Sequence, residues 1–191
     1  MTSTYRKPLV FVTVGGDHHP FDRLMQWVER WLSDEGDRVR CVVQYGTALP
    51  PAGAECFDYL DHDALLGLME SARAVVSSGG PTTLLEARRL GHRPVVVPRR
   101  SSLGEHVDDH QRLFAARLHT ENLVVRAEDE PAFRDAVHAA IDAPRIVTPR
   151  ELSTEGVMRI GRLIDETAGF STNDRTGSGG QSRDLSVTML P

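Results

Sequence analysis

The fold of this chain is decided by the stretch Val75-Val76-Ser77-Ser78-Gly79-Gly80-Pro81-Thr82-Thr83-Leu84-Leu85-Glu86. Its apolar first residues predict a buried strand, and Pro81 suits the first turn of a following helix. The glycines leave the backbone room beside a ligand, and the unpaired N–H groups of a first helical turn carry roughly half a positive charge. The stretch therefore predicts an anion site that needs no lysine.

Glu86 lies one turn after this predicted anion site. A carboxylate at that position is placed to accept hydrogen bonds from ribose hydroxyls, so the two features together suggest a nucleotide. A second interpretation stays open, because a parallel sheet also uses a strand, a glycine turn and a helix as a plain crossover.

The rest of the chain alternates strands with helices. Apolar runs predict strands at 8–14, 38–44, 55–59, 74–77, 94–98 and 123–125. Periodicity predicts helices at 24–32, after the capping residue Asp61, at 82–90, about 107–118, 130–141 and 150–167. In the first helix, Trp27 and Trp31 are expected in the core or at an interface rather than in a ligand cage. This alternation predicts an α/β fold, a Rossmann-like parallel sheet with helices on both faces.

Three loops fall at the C-terminal ends of predicted strands, after positions 14, 77 and 98. Parallel sheets bind ligands at such ends, in the crevice where the strand order reverses. The first loop carries Gly15, Gly16, Asp17, His18 and His19. The third begins with Arg99 and Arg100 and continues through Glu105. Two adjacent arginines suit either a diphosphate or a solvated rim.

The segment after the third loop has two chemical interpretations. If a helix begins near His106, then His106, Asp109 and His110 share one helical face. Two histidines a turn apart beside a carboxylate are a possible zinc site, which His18 or His19 would complete. Alternatively, Asp109, His110 and Gln111 are hydrogen-bond partners for sugar hydroxyls. A solvated helix start with acidic residues near the dipole is the third possibility.

Composition narrows the class of protein. The 191 residues carry a formal net charge of -5 and no long basic run, which argues against nucleic acid as a partner. Cys41 and Cys56 fit no disulfide or metal framework, no apolar run is long enough to span a bilayer, and no signal peptide is present, so a cytoplasmic protein is expected. We expect one domain over 1–168 and a disordered tail over 169–191, which is rich in glycine and serine.

Three motifs of this sequence, in the same order along the chain, resemble those of a known family. They are Phe11-Val12-Thr13-Val14-Gly15 with Pro20-Phe21-Asp22-Arg23-Leu24, then Ser78-Gly79-Gly80-Pro81-Thr82-Thr83 with Glu86, then Val97-Pro98-Arg99 with Glu105-His106-Val107-Asp108-Asp109-His110-Gln111. This pattern resembles the C-terminal, donor-binding half of GT-B glycosyltransferases, of the glycosyltransferase family 28 C-terminal type. More narrowly, it is similar to the small catalytic subunits of two-part UDP-sugar transferases of exopolysaccharide, capsule and dolichol-linked oligosaccharide synthesis.

The resemblance implies a single half of a GT-B fold that binds a UDP-sugar. It implies that the Gly79-Gly80 turn and Thr83 hold the diphosphate, that Glu86 holds the ribose, and that Asp109, His110 and Gln111 hold the sugar. Further donor-binding residues are expected at Ser78, Pro81, Thr82 and Glu105. Gly15 and Gly16 would face the cleft between donor and acceptor, and Arg99 or Arg100 would stabilise the departing UDP. The chain departs from the family at Gly16-Asp17, where relatives often carry Thr-His, and at Ser78, where they carry histidine.

The resemblance also implies a partner and a reaction. The acceptor-binding half would come from a small membrane-anchored protein at the inner face of the plasma membrane, with a lipid-linked or glycan acceptor. The hexose would be transferred with inversion, without a metal or other cofactor, and the general base would be His18, His19, Asp17 or a group of the partner. Two other functions remain open, namely a metal-dependent hydrolase that uses His106, Asp109 and His110, and a non-catalytic nucleotide-binding module.

Overall fold

The computed structural model describes residues 7–143, which form one parallel sheet with helices on both faces. The strands are β1 (Leu9–Thr13), β2 (Arg40–Gln44), β3 (Glu55–Phe57), β4 (Ala74–Ser77), β5 (Val95–Val96) and β6 (Val125–Arg126). The helices are α1 (Asp22–Glu35), α2 (His62–Ser71), α3 (Pro81–Arg89), α4 (His110–Thr120) and α5 (Glu130–Asp142), with short 3-10 turns at Gly36–Arg38 and Ser101–Leu103.

The strand order is β3-β2-β1-β4-β5-β6, and every pairing is parallel. The order reverses between β1 and β4, which lie side by side with Thr13 opposite Ser77. The loops after these two strands therefore leave the sheet in different directions and open a crevice between them. The predicted α/β fold is confirmed, and the crevice is where its ligand site is expected.

Alternation along the strands fills a core on each face of the sheet. Val10 and Val12 of β1 pack with residues of α1 and α5, whereas Leu9 and Phe11 pack with Met69 of α2 and with α3. Side chains of a strand point to opposite faces in turn, so a strand covered on both sides is apolar at every position. All five residues of β1 are buried accordingly.

The two tryptophans of α1 are core residues, as the sequence predicts. Trp31 is 1% exposed and meets the ring of Phe133 edge-on, with 6.4 Å between ring centroids. Its indole nitrogen lies 3.1 Å from Nε2 of His138, and Trp27 packs at 6.0 Å from the same Phe133. The tryptophans thus join α1 to α5 over one face of the sheet.

The strands are mostly shorter than the sequence predicts, and for β5 and β6 the reasons are identifiable. β5 keeps only Val95–Val96 of the predicted 94–98, because Pro94 and Pro98 at its two ends have no N–H to give to a ladder. β6 is Val125–Arg126 rather than 123–125, since Leu123 and Val124 are buried in the cluster beneath α4 instead. The predicted cap of α2 is confirmed, because the Asp61 side chain accepts from the N–H of Ala64.

The helix predicted near His106 begins later, at His110. Two features of the preceding loop keep it from forming a helix. Gly104 has a φ of 71°, in the left-handed region, and the Asp109 carboxylate accepts hydrogen bonds from Ser101 at the head of the loop. His106 therefore lies outside the helix, and the condition under which His106, Asp109 and His110 would share one helical face is not met.

The predicted helix at 150–167 and the predicted tail at 169–191 lie outside the described residues. Among residues 7–143, none of the helices combines the length and the apolar character that a bilayer span requires.

Candidate functional site

The loops after β1 and β4 meet at the point where the strand order reverses. Ser78 donates its N–H to the carbonyl of Thr13 at 3.3 Å, and its hydroxyl to the carbonyl of Val14 at 3.1 Å. The Thr13 hydroxyl in turn accepts the N–H of Gly15 at 3.2 Å. Ser78 is 3% exposed, and its hydroxyl connects the loop after β4 to the loop after β1.

At the centre of the turn Ser78-Gly79-Gly80, the backbone adopts a conformation that only glycine fits. Gly79 has a φ of 102°, and a Cβ on it would lie 3.1 Å from Cγ1 of Val96. The N–H of Gly79 is donated to the Ser77 hydroxyl at 3.1 Å. This close approach to β5 sets the direction in which the chain enters α3, so the glycine is required by both conformation and space.

Helix α3 begins at the crevice without a side-chain cap. Gly80 occupies the capping position, Pro81 is in the first turn, and no acidic residue is in that turn. Arg88 and Arg89 lie in the last turn, where they complement the helix dipole. The Thr83 hydroxyl lies beside Gly80, since a Cβ there would be 3.9 Å from it. The first turn is therefore open to an external anion.

Glu86 faces the start of α2 from the next turn of α3. Its carboxylate lies 3.5 Å from Nδ1 of His62, and its side chain is 13% exposed. The imidazole of His62 is 65% exposed. The structure thus places the predicted ribose-binding carboxylate next to a histidine that the sequence analysis did not single out.

The loop after β1 folds around Asp17. Oδ1 of Asp17 accepts the N–H of His19 at 2.8 Å and lies 2.7 Å from Nδ1 of the His19 ring. Partial burial by itself would raise the pKa of this carboxyl, but the two hydrogen bonds from His19 and the charge of Arg99 hold the pKa below its ordinary value. Asp17 is therefore ionised at neutral pH.

The neighbouring histidines differ in their exposure. The His18 side chain is 85% exposed, whereas the His19 side chain is 22% exposed. The two rings lie 4.1 Å apart between centroids. Of the three catalytic candidates in this loop, Asp17 and His19 are joined directly, and His18 projects into solvent beside them.

His106 reaches the same carboxylate from the loop after β5. Its Nε2 lies 3.1 Å from Oδ2 of Asp17, and its Nδ1 lies 3.4 Å from Asp108. The Gln111 amide nitrogen is 3.3 Å from His106 Nε2, so Gln111 lies next to this pair. Both oxygens of Asp17 are therefore engaged, one by His19 and one by His106.

Arg99 is an internal residue of the site rather than a surface cation. It is 1% exposed, and its N–H groups are donated to the carbonyls of Val14, His19 and Glu105 at 3.1, 2.8 and 2.9 Å. Its guanidinium also lies 4.7 Å from the centroid of the Phe21 ring. Arg100 donates to the carbonyl and the carboxylate of Glu128 on the other side of the loop. The two adjacent arginines thus have different environments and different contacts.

Glu105 holds the loop after β5 against α1. Its two oxygens each accept from Arg23 at 2.8 Å, and one of them also accepts the N–H of Arg100. Glu105 is 5% exposed, and a carboxylate is rarely so deeply buried unless it is paired, as it is here. Arg23 additionally donates to the carbonyl of Pro98 at 2.9 Å. This pair has no local signal in the sequence, because its members are 82 positions apart.

Asp109 and His110 have separate partners. Oδ1 of Asp109 accepts the N–H and the hydroxyl of Ser101, both at 3.0 Å, and the backbone hydrogen bond lowers the pKa of this carboxyl. His110 lies 3.0 Å from Asp108. Among the described residues, a group of three metal-ligating side chains with ligand atoms within 4.8 Å of one another occurs only at Asp17, His18 and His19. The set His106, Asp109 and His110 is therefore not assembled, and a metal at the observed cluster would compete with two hydrogen bonds to Asp17.

Three polar residues that the sequence analysis passed over shape the crevice floor. Thr13, Gln44 and Ser77 each occupy the last position of a strand after buried apolar residues, and each is itself buried. Gln44 donates to the carbonyl of Gly15 at 3.2 Å. Its Oε1 is buried without a hydrogen-bond partner within the described part of the chain. The signal was present in the sequence, since a polar residue that ends a buried strand must find a partner.

Comparison with known proteins gives a consistent picture of the fold. The profile of the glycosyltransferase family 28 C-terminal domain matches residues 9–142. Among curated proteins the comparison finds no match. Solved structures that resemble the chain include the glycotransferase of kitacinnamycin, with a TM-score of 0.61, 15% identity, and coverage of 90% of this chain and 44% of that chain.

Two further structures match in the same way. The calicheamicin glycosyltransferase CalG4 has a TM-score of 0.57 at 15% identity, covering 93% of this chain and 45% of that one. MurG of Acinetobacter baumannii has a TM-score of 0.52 at 15% identity, covering 89% of this chain and 51% of that one. The chain thus spans about half the length of the glycosyltransferases it resembles.

Proposed function

The chain belongs to the glycosyltransferase family 28 C-terminal domain family, and from this premise we propose that it is the donor-binding half of a glycosyltransferase. It binds a UDP-sugar in the crevice between β1 and β4 and transfers the hexose, with inversion, to an acceptor hydroxyl. The acceptor is a lipid-linked or other glycan.

The observation that carries this proposal is the turn Ser78-Gly79-Gly80 and the uncapped start of α3 at the strand-order reversal. The first-turn N–H groups at Thr82 and Thr83 supply partial positive charge where the diphosphate lies. This partial positive charge stabilises the departing diphosphate more strongly as negative charge develops on it. No metal is therefore needed for this role. Arg99 has its N–H groups on three carbonyls, so its charge acts on the diphosphate at a distance rather than by contact.

The sugar lies near the loop after β5. Gln111 and His110 are at the start of α4, and Asp109 fixes the head of that loop through Ser101. Glu86 accepts the ribose hydroxyls from α3, with His62 beside it. Glu105 and Arg100 shape this side of the pocket by holding the loop, which makes their contribution indirect.

The acceptor half is proposed to be a partner subunit. Resemblance to the two-part UDP-sugar transferases supports this, since in a GT-B enzyme the cleft closes between two halves and the described fold matches one of them. The partner is a membrane-anchored subunit that brings the acceptor to the loops after β1 and β5. This places the chain at the inner face of the plasma membrane while its own residues stay in the cytoplasm.

Calorimetric titration tests the donor site directly. The purified chain is titrated with UDP, UDP-glucose, UDP-galactose and UDP-N-acetylglucosamine, each with and without EDTA. Binding that is unchanged by EDTA and that weakens by about 1–3 kcal/mol in Glu86→Ala supports the proposal. Glu70→Ala on α2 is the matched control, because it removes a carboxylate from a neighbouring helix at a site with no proposed ligand.

The outcomes separate the alternatives. Binding of UDP with no transfer in any membrane fraction favours a nucleotide-binding module. Binding that EDTA abolishes favours a metal at Asp17, His18 and His19. Absence of UDP binding to the chain, alone or with membranes that supply the partner, contradicts the donor assignment.

A further inference from the structure

The contacts of Asp17 single out one of the three histidines near the crevice. Oδ1 of Asp17 lies 2.7 Å from Nδ1 of His19, and the same oxygen accepts the His19 N–H at 2.8 Å. An ionised carboxylate only accepts hydrogen bonds, so the ring proton of neutral His19 lies on Nδ1. Its Nε2 then carries the lone pair, and within residues 7–143 no hydrogen bond to that nitrogen is present.

The surroundings hold this pair in place from two loops. His106 engages the second oxygen of Asp17 at 3.1 Å, and Arg99 donates to the main-chain carbonyl of His19 at 2.8 Å. The groups that face His19 are therefore Asp17 and His18 from its own loop, and His106 and Arg99 from the loop after β5. A carboxylate that fixes the tautomer and orientation of an imidazole is the arrangement that general-base catalysis requires.

We propose that His19 is the general base that accepts the proton of the acceptor hydroxyl, with Asp17 as its positioning residue and His106 as the brace of Asp17. This inference rests on the proposed function. It assigns the base to the donor half of the enzyme, and it separates His19 from His18, which has an exposed ring outside this hydrogen-bond pair.

The reaction balances with the residues present. The acceptor hydroxyl gives its proton to Nε2 of His19 as its oxygen forms a bond to the anomeric carbon of the sugar. The bond from that carbon to the diphosphate breaks, and its electron pair stays on the diphosphate oxygen. The imidazolium that forms is stabilised by the Asp17 carboxylate, and it later returns the proton to solvent.

The first experiment observes the tautomer without any need for activity. Long-range proton–nitrogen correlation spectra of the 15N-labelled full-length chain, recorded at about pH 8 where a free histidine is neutral, distinguish protonation at Nδ1 from protonation at Nε2. We expect the Nδ1–H form at His19, and a shift toward the Nε2–H form in Asp17→Asn. Nε2–H in the native chain, or no change in the variant, overturns the pairing.

The second experiment measures transfer from UDP-glucose, UDP-galactose and UDP-N-acetylglucosamine, with membranes of the encoding cells as the source of partner and acceptor. His19→Ala is expected to lower kcat by about 10²–10⁴-fold with little change in KM for the donor, and added imidazole should restore part of the rate. Asp17→Asn should lower kcat in the same way and alter the pH profile. Asp135→Asn on the exposed side of α5 is the matched control and keeps its activity.

The results distinguish failure of the base from failure of the transferase. Retained UDP binding with transfer within about threefold of wild type in His19→Ala overturns the catalytic role alone, since loss of a general base costs about a hundredfold or more. Transfer that EDTA abolishes and zinc restores also overturns it, in favour of a metal. Absence of UDP binding overturns the proposed function and the catalytic role together.

Discussion

Arg99 donates an N–H group to the main-chain carbonyl of His19 at 2.8 Å, although the two residues are 80 positions apart. The same guanidinium holds the carbonyls of Val14 and Glu105. One buried cation thereby joins the loop after β1 to the loop after β5. The position of His19 in the crevice depends on this residue, which does not itself reach the open surface.

Arg99→Met should destabilise the fold and loosen both loops. The methionine keeps much of the apolar stem but leaves three buried carbonyls without their donor, so we expect a loss of about 3 kcal/mol or more in the free energy of unfolding. Urea denaturation monitored by tryptophan fluorescence measures the loss. Arg38→Met, at a side chain 74% exposed, is the control and should change stability by less than about 0.5 kcal/mol. Equal effects of the two substitutions would contradict the buried role of Arg99.

Gly79→Ala should reduce both stability and UDP binding. Its φ of 102° disfavours any side chain, and the new Cβ would lie 3.1 Å from Val96. We expect a loss of about 1–3 kcal/mol in unfolding free energy. Gly104→Ala isolates the conformational part, because Gly104 also has a positive φ, of 71°, but open space around it. If Gly104→Ala proved as costly as Gly79→Ala, contact with Val96 would not be the cause.

Asp17 should make the stability of the chain depend on acid pH. Burial opposes ionisation, but the hydrogen bonds from His19 together with the charge of Arg99 hold the pKa of Asp17 in the folded chain below its ordinary value of 3.8. The stabilisation is therefore fully present above that value and is lost as the pH falls through the folded pKa. Asp17→Asn should lower the urea midpoint at neutral pH, and the difference from wild type should shrink as the pH is taken below 3.8. A difference that stays constant with pH would argue against the ionised pair.

Arg23 and Glu105 should be energetically coupled. The pair is bidentate and nearly buried, with side chains 15% and 6% exposed. A double-mutant cycle with Arg23→Met and Glu105→Gln should give a coupling energy of about 1–3 kcal/mol. The exposed pair Arg40 and Glu55, with side chains 54% and 50% exposed, provides the matched cycle and should give less than about 1 kcal/mol. Equal coupling in the two cycles would show that burial is unimportant here.

Cys41 should be unreactive in the native chain. Burial in β2 raises the pKa of its thiol to about 12, and burial also raises the pKa of the half-buried Cys56. Because the thiolate is the reactive form, a chromogenic disulfide reagent at about pH 8 should modify Cys41 only after unfolding, and Cys56 slowly before it. Mass spectrometry of the digested protein assigns the two sites. Rapid native labelling of Cys41 would contradict its burial.

The regular part of the fold follows directly from the sequence. Apolar runs such as Leu9-Val10-Phe11-Val12 are typical of strands in a sheet that is covered on both faces. The turn at Gly79 and the helix start at Pro81 were equally predictable, because glycine and proline have narrow conformational preferences. The crevice lies where the strand order reverses. The sequence indicates its position indirectly, through the three loops that follow predicted strands at positions 14, 77 and 98.

The side-chain network was not predictable in the same way. Arg99 and Arg100 are identical neighbours in sequence, yet one is buried and the other pairs with Glu128, and the choice depends on residues 80 and 28 positions away. The start of α4 was misplaced because the Ser101 and Asp109 contact closes a loop that periodicity alone treats as helix. The roles proposed for Glu86, Asp109, His110 and Gln111 toward a UDP-sugar stay predictions.

The loop after β5 is almost independent of the sheet that carries it. β5 is two residues long and is bounded by prolines, while the loop closes on itself through Ser101 and Asp109. Its side chains are attached to the rest of the domain at four places, through Glu105 to Arg23, Arg99 to His19, Arg100 to Glu128 and His106 to Asp17. Exchange of residues 99–109 between related domains would therefore require these partner residues to be transferred with the loop. In protein engineering, such a loop is a segment that can be replaced while the sheet beneath it stays unchanged.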